Sequence, residues 1–246
     1  PAGRTFGAEI YAPTHQPSNP LCHAIRSGLR GSMRIAIVDY GSGNLRSAAK
    51  AFERAGADHG AAVEVTVTSK AEIVADADRV VLPGVGAFAD CRAGLGAVDG
   101  MVDALDEFVH KKGRPFLGIC VGMQLLADRG LEHGEHAGLG WIGGEVRAIE
   151  PGDVRKKVPH MGWNALRIKE SPANLFAGID PGDHVYFVHS YGFVPSNDSC
   201  VLAEVEYGPT IVSAVAKGNI AGTQFHPEKS QAVGLRFIAN FLSWSP

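Results

Sequence analysis

Residues 115–124 read Pro115-Phe116-Leu117-Gly118-Ile119-Cys120-Val121-Gly122-Met123-Gln124. Pro115–Ile119 is a short apolar run of strand character, and Met123–Asp128 carries Leu125 and Leu126 into a helix, so the chain turns from strand to helix through Cys120 with a glycine on each side. This is the cysteine form of a G-x-S-x-G nucleophile elbow. The sharp turn holds the nucleophile in a strained backbone conformation, and neighbours without Cβ permit the close approach it needs. The sulfur is thereby exposed at the carboxyl edge of a sheet, and the helix start beside it supplies partial positive charge, which suits attack on an amide carbonyl. A small buried cysteine that happens to lie between glycines is the bland alternative, with 31 glycines and four cysteines in the chain. It leaves the strand-turn-helix setting unexplained.

Outward from the elbow, the first half alternates strands with helices. Met33–Asp39 is followed by a glycine-rich turn, Tyr40-Gly41-Ser42-Gly43-Asn44, and by an apolar-periodic stretch from Leu45 to Ala55; strands are expected at Val63–Thr68 and Arg79–Leu82, with helices between and after them. Right-handed crossovers then give an α/β fold, a doubly wound, mainly parallel sheet with helices on both faces. The second half consists of short strand-like runs at Trp141–Glu150, Asn164–Ile168, His184–Ser190, Val201–Tyr207, Ile211–Lys217 and Ile220–Phe225, separated by Gly, Pro, Asn and Asp. These predict a smaller antiparallel extension. An amphipathic helix, Val233–Leu242, closes the chain. Residues 1–32 are rich in Pro, Gly and Ser without sustained period and are expected to be a non-catalytic extension, leaving 33–246 as one domain.

Composition narrows the function. With 23 basic against 26 acidic residues and no basic block, nucleic acid is not the expected ligand. Cys22, Cys91, Cys120 and Cys200 form no C-x-x-C pair, so no metal site and no cofactor is predicted, and their scatter suits a reducing cytoplasm. No run of eighteen apolar residues predicts a membrane span.

A base for Cys120 is offered by Gln224-Phe225-His226-Pro227-Glu228. In extended backbone, residues two apart project to one side, which brings the Glu228 carboxylate to the His226 ring. Pro227 cannot donate to a ladder, so the strand should end there and leave His226 at the same carboxyl edge as Cys120. His226 would then hold the thiolate and protonate the departing nitrogen, with Glu228 fixing the imidazole. Of ten histidines, His226 is set apart by that acid and that breaker. Pro83-Gly84-Val85-Gly86, between a strand and a helix, could aim backbone N–H groups at a developing anion. Gln124 lies one helical turn beyond Cys120 on the same face.

Taken in order, PGVGAF (83–88), GICVGMQ (118–124) and QFHPEKS (224–230) resemble the class-I glutamine amidotransferases. DYGSGNLRS (39–47), PHMGWN (159–164) and VYFVHSY (185–191) are similar, within that family, to the glutaminase subunits of imidazole glycerol phosphate synthases. The resemblance covers essentially all of the chain from Met33 onward. It implies a flavodoxin-like fold, L-glutamine as substrate, and a heterodimer with a (β/α)8-barrel cyclase that takes up ammonia and releases imidazole glycerol phosphate and AICAR. By resemblance, Cys120, His226 and Glu228 are the triad, Gly84 and Val85 the oxyanion strand, and Gln124, Ser190 and Tyr191 the holders of the substrate's amino-acid end. Met161, Trp163, Tyr186 and Lys229 resemble positions facing the cyclase. The family also implies that the Gly84–Val85 peptide rests with its N–H turned away until partner and nucleotide bind. Two alternatives remain, the same chemistry feeding another synthase and a silent binding subunit.

Overall fold

Strand β1 (Met33–Val38) is apolar almost without alternation, as expected of a strand covered on both faces, and its last four residues are fully buried. The computed structural model describes residues 31–153 and 155–246. The expected N-terminal extension therefore lies outside the described residues except for its last two positions.

After β1 the chain runs through α1 (Leu45–Asp58), β2 (Val63–Thr68), α2 (Ala71–Asp76), β3 (Arg79–Gly84), α3 (Phe88–Ala97), α4 (Met101–Asp106), β4 (Phe116–Cys120) and the single turn α5 (Val121–Gln124). There follow β5 (Arg129–Gly130), β6 (His136–Ala137), β7 (Gly144–Ala148), β8 (His160–Ala165), β9 (Arg167–Ile168), β10 (His184–His189) and β11 (Tyr191–Pro195). The last elements are β12 (Val201–Glu206), β13 (Thr210–Lys217), β14 (Ile220–Thr223) and α6 (Gln231–Ser243).

Eight strands form the central sheet in the order β2-β1-β3-β4-β14-β13-β12-β9. The first five are mutually parallel, in the 2-1-3-4-5 arrangement of flavodoxin-like folds, and the last three are antiparallel. From β1 the chain steps one way to β2 and back past it to β3, so right-handed crossovers place α1 and α2 on opposite faces. Helices α1 and α6 share one face, where Phe52 meets Phe241 edge to face at 6.1 Å. The core lies between sheet and helices, with Phe52, Phe88, Phe116, Phe225, Phe237 and Phe241 fully buried. Two small sheets, β10-β8 and β11-β7-β5-β6, complete the fold.

Three expectations need correction. The helix expected over Met123–Asp128 stops at Gln124 because the Leu125 and Leu126 carbonyls accept instead from Leu139, Trp141 and Ile142 (2.7, 3.0 and 3.0 Å). Asn164–Ile168 is not one strand: His160–Ala165 pairs with β10 in its own sheet, while Arg167–Ile168 adds to β12 at the edge of the main one. His184–Ser190 ends at His189, and a strand missed in the sequence, Tyr191–Pro195, continues directly and pairs with β7.

Candidate active site

The structure builds the elbow as the glycine pattern predicts. Cys120 has φ 55° and ψ −111° at the junction of β4 and α5, and it is 3% exposed. Three glycines make the conformation possible: a Cβ on Gly118 would strike the backbone of Gly122 and Met123, one on Gly122 the Leu82 carbonyl, and one on Gly84 the Tyr40 hydroxyl. Gly84 sits directly opposite Cys120 in the β3–β4 register. The single turn α5, which opens at Cys120, lacks the macrodipole of the longer helix expected from sequence.

His226 lies just past β14, at the same sheet edge. Its Nδ1 and the Glu228 Oε1 are 2.8 Å apart, and both side chains are almost wholly shut off from solvent (2% and 3%). The geometry differs from the extended backbone expected, since Pro227–Lys229 form a 3-10 turn and the turn brings the acid under the ring. The turn is pinned in place: the His226 N–H donates to the Tyr186 carbonyl (3.0 Å), and the Ser230 hydroxyl donates to the His226 carbonyl (2.7 Å). With Nδ1 engaged by Glu228, the buried Nε2 has no hydrogen-bond partner among the described residues and is the nitrogen left for the sulfur. Burial works against a charge on this ring, but the neighbouring Cys120 sulfur and then the Glu228 carboxylate outweigh it, and the His226 pKa is raised to about 9.

Cys120 and His226 open onto one cavity of about 310 Å³, which Val85, Gln124, Ser190 and Tyr191 also line. The predicted residues from four separated segments are thus brought together. Two of them carry bonds the sequence did not reveal. The Val85 N–H donates to the Ser42 hydroxyl oxygen (3.0 Å), so the N–H of the Gly84–Val85 peptide is engaged by Ser42; that hydroxyl and the Cys91 thiol both donate to the Val85 carbonyl (2.6 and 3.3 Å), which belongs to the next peptide. Elbow sites draw a second donor from the residue after the nucleophile, here Val121, which lines the cavity. Gln124 spends its amide N–H groups on the Tyr191 carbonyl (2.9 Å) and the Gln224 side chain (3.0 Å), leaving its oxygen as an acceptor suited to a substrate ammonium rather than a carboxylate. The Ser190 carbonyl accepts from Ile149 (2.9 Å).

Sequence reasoning missed Gln224, Glu132, Ser42 and His189. Gln224 is fully buried and donates toward the Cys120 sulfur at 3.6 Å; its place two residues before His226 was the available signal. Glu132 lines the cavity and accepts from the Phe88 N–H (2.7 Å), adding a carboxylate where an α-ammonium could be met. Nothing local marks Glu132 as different from other loop acids.

Around the mouth, Met161 and Trp163 are 61% and 46% exposed, against the burial expected of core residues. The Trp163 ring meets Tyr186 edge-on at 6.0 Å, and the Lys229 ammonium stands over the Tyr186 ring at 5.8 Å. All four residues predicted to face a partner thus form one surface, and Tyr186 is bonded through its backbone to His226.

Comparison with known proteins shows the family. The family model for glutamine amidotransferase class-I matches residues 36–243. The imidazole glycerol phosphate synthase subunit HisH of Rhodospirillum rubrum is 63% identical over 214 residues, 87% of this chain and 100% of that protein. The protein of the same name from Brucella melitensis is 58% identical over 217 residues, again 87% of this chain and 100% of the relative. Among solved structures, a glutamine amidotransferase superposes with TM-score 0.64 at 20% identity, over 85% of this chain and 97% of that one. A glutamine amidotransferase of Thermotoga maritima gives 0.57 at 19%, over 81% and 77%. At such identities these structures speak for the fold alone. The stretch matched by the family model contains every residue of the cavity described above, and the chain belongs to the class-I glutamine amidotransferases.

Proposed function

We propose that residues 33–246 are the glutaminase subunit of an imidazole glycerol phosphate synthase in histidine biosynthesis, hydrolysing L-glutamine to glutamate and ammonia. The family match and the full-length identity to the HisH relatives support the assignment. The observation that carries the chemistry is the Cys120 elbow sharing a cavity with a His226 ring held by Glu228 at 2.8 Å.

In the reaction, the Cys120 thiolate attacks the γ-amide carbon and forms a C–S bond, while the carbonyl oxygen takes up the negative charge. That charge is met by backbone N–H groups, Val121 on the cavity wall being one donor and Val85 the other once its N–H turns from Ser42. The intermediate collapses by breaking the C–N bond as the His226 imidazolium gives its Nε2 proton to the nitrogen, and ammonia leaves behind a γ-glutamyl thioester. Neutral His226 then takes a proton from water, which attacks the thioester and releases glutamate and the thiolate. Glu228 fixes the ring with Nδ1–H toward itself and offsets the imidazolium charge.

Ammonia passes to a (β/α)8-barrel cyclase seated on the Met161, Trp163, Tyr186 and Lys229 surface. A covered passage has a physical motive, because ammonia released to neutral water is mostly ammonium and not nucleophilic. The decisive experiment is Cys120→Ala in the pair reconstituted with a cyclase. Glutamine-dependent product formation is expected to vanish while ammonia-dependent formation stays at the wild-type rate, and persistent glutamine hydrolysis would refute the assignment of the nucleophile.

A further inference from the structure

Strand β8 carries two kinds of side chain on its two faces. Met161 and Trp163 point outward and are exposed, whereas His160, on the alternate face, is 2% exposed. His160 is stacked between Phe187 and Tyr207, with ring centroids at 4.7 and 4.0 Å. Its Nδ1 lies 3.0 Å from Nε2 of His189, itself 6% exposed, and its Nε2 lies 3.2 Å from the Asn164 amide nitrogen. His189 Nδ1 lies 2.8 Å from the Tyr191 carbonyl. That carbonyl can only accept and the Asn164 nitrogen can only donate, so the tautomers are fixed along the row: Asn164 donates to His160, His160 to His189, and His189 to Tyr191. Both rings are neutral in such a row, and burial agrees, holding the pKa of His160 down to about 4 and that of His189 to about 3.

The row does not stop at Tyr191. The same carbonyl takes the Gln124 amide at 2.9 Å, Gln124 bonds Gln224 at 3.0 Å, and Gln224 reaches the Cys120 sulfur at 3.6 Å. A buried polar pair among aromatic rings is costly to desolvate unless each atom is bonded, and here each ring nitrogen is bonded in sequence toward the substrate cavity. We propose that His160 and His189 are positioning residues for the glutamine pocket, fixing the Tyr191 carbonyl and through it Gln124, and tying that pocket to the outward, partner-facing side of β8. The proposal rests on reading the cavity as a glutaminase site.

The test measures glutamine KM and kcat in the complex reconstituted with the cyclase and its nucleotide, for wild type, His189→Leu and His189→Asn. Leucine removes the donor to Tyr191, and asparagine keeps an N–H close to the place of Nδ1. His189→Leu is expected to raise KM about ten-fold, the loss of roughly one buried hydrogen bond, with kcat within about two-fold and ammonia-dependent synthesis unchanged. His189→Asn is expected to recover most of the wild-type KM. A wild-type KM in His189→Leu, or no recovery in His189→Asn, overturns the proposal. Should His189→Leu not fold, nitrogen NMR of the wild-type imidazoles decides: His189 protonated at Nδ1 and bare at Nε2 is expected, and the opposite tautomer overturns the proposal. Loss of hydrolysis in Cys120→Ala alongside a wild-type KM in His189→Leu sinks this inference alone. Hydrolysis that survives Cys120→Ala sinks the glutaminase reading itself.

Discussion

At the residue scale, His226 shows how a site can reverse what burial alone would do. An imidazole this buried should lose its proton easily, yet the Cys120 sulfur and the Glu228 carboxylate hold its pKa at about 9 against an ordinary 6.5. Because the folded state binds that proton more tightly than the unfolded chain, its stabilisation is complete below about pH 6.5 and is lost as the pH rises through about 9. Glu228→Gln removes one of the two sources, so the fall in stability across this window should become shallower; denaturation midpoints measured through it that fall as steeply as in the wild type would contradict the account. Ser42 offers a second test. Its hydroxyl holds both backbone polar groups of Val85, accepting from the N–H of the Gly84–Val85 peptide and donating to the carbonyl of the next. Ser42→Ala frees that N–H, and glutaminase turnover of the isolated subunit should rise roughly three- to ten-fold, the scale of one hydrogen bond. An unchanged basal rate would mean that Ser42 does not hold the peptide back.

At the scale of elements, the elbow depends on glycines where two strands and a turn come closest. A methyl at Gly122 would meet the Leu82 carbonyl, which belongs to the backbone of β3 and cannot rotate aside. Gly122→Ala should therefore destabilise the fold by about 3 kcal/mol and displace Cys120 enough to lower turnover, measured by thermal unfolding and by the glutaminase assay. Wild-type values in both would show that α5 can shift freely. These glycines were legible because the elbow is local: strand, turn and helix follow one another within ten residues. The parallel half of the sheet was legible for a related reason, since β1, β3 and β4 are largely continuous apolar runs, β2 at the edge alternates, and the order follows from right-handed crossovers. The second half was less so. Short strands such as β8, β9 and β11 are assigned to sheets by partners far along the chain, and no periodicity distinguishes Ala165 from Arg167 as a boundary. The same holds within the site: Cys120, His226 and Glu228 sit in motifs, whereas Glu132, Ser42 and His189 act through contacts with residues that neighbour them only after folding.

On the scale of the whole molecule, the carboxyl edge of the parallel sheet collects the nucleophile, the base and the oxyanion segment, and the β8–β10 pair extends from that edge as a platform. Tyr186 belongs to the platform and to the site at once, with its ring beneath Trp163 and Lys229 and its carbonyl on the His226 N–H. Large apolar side chains left half in water beside a catalytic mouth are the usual anchors of a protein interface. Trp163, at 46% exposure, lies outside the buried core, so Trp163→Ala should leave the melting temperature of the isolated subunit nearly unchanged. Truncating a central aromatic anchor costs about 2 kcal/mol or more of association, so the dissociation constant for the proposed cyclase should rise about thirty-fold. Titration calorimetry or surface binding with purified subunits measures that directly, and the glutaminase rate of the mixture should fall in step because less of the enzyme is partnered. A variant that matches the wild type in both cyclase binding and partner-stimulated turnover would place the interface elsewhere. A variant that binds normally but loses partner-stimulated turnover would instead assign Trp163 to transmitting the docking signal through Tyr186 to His226.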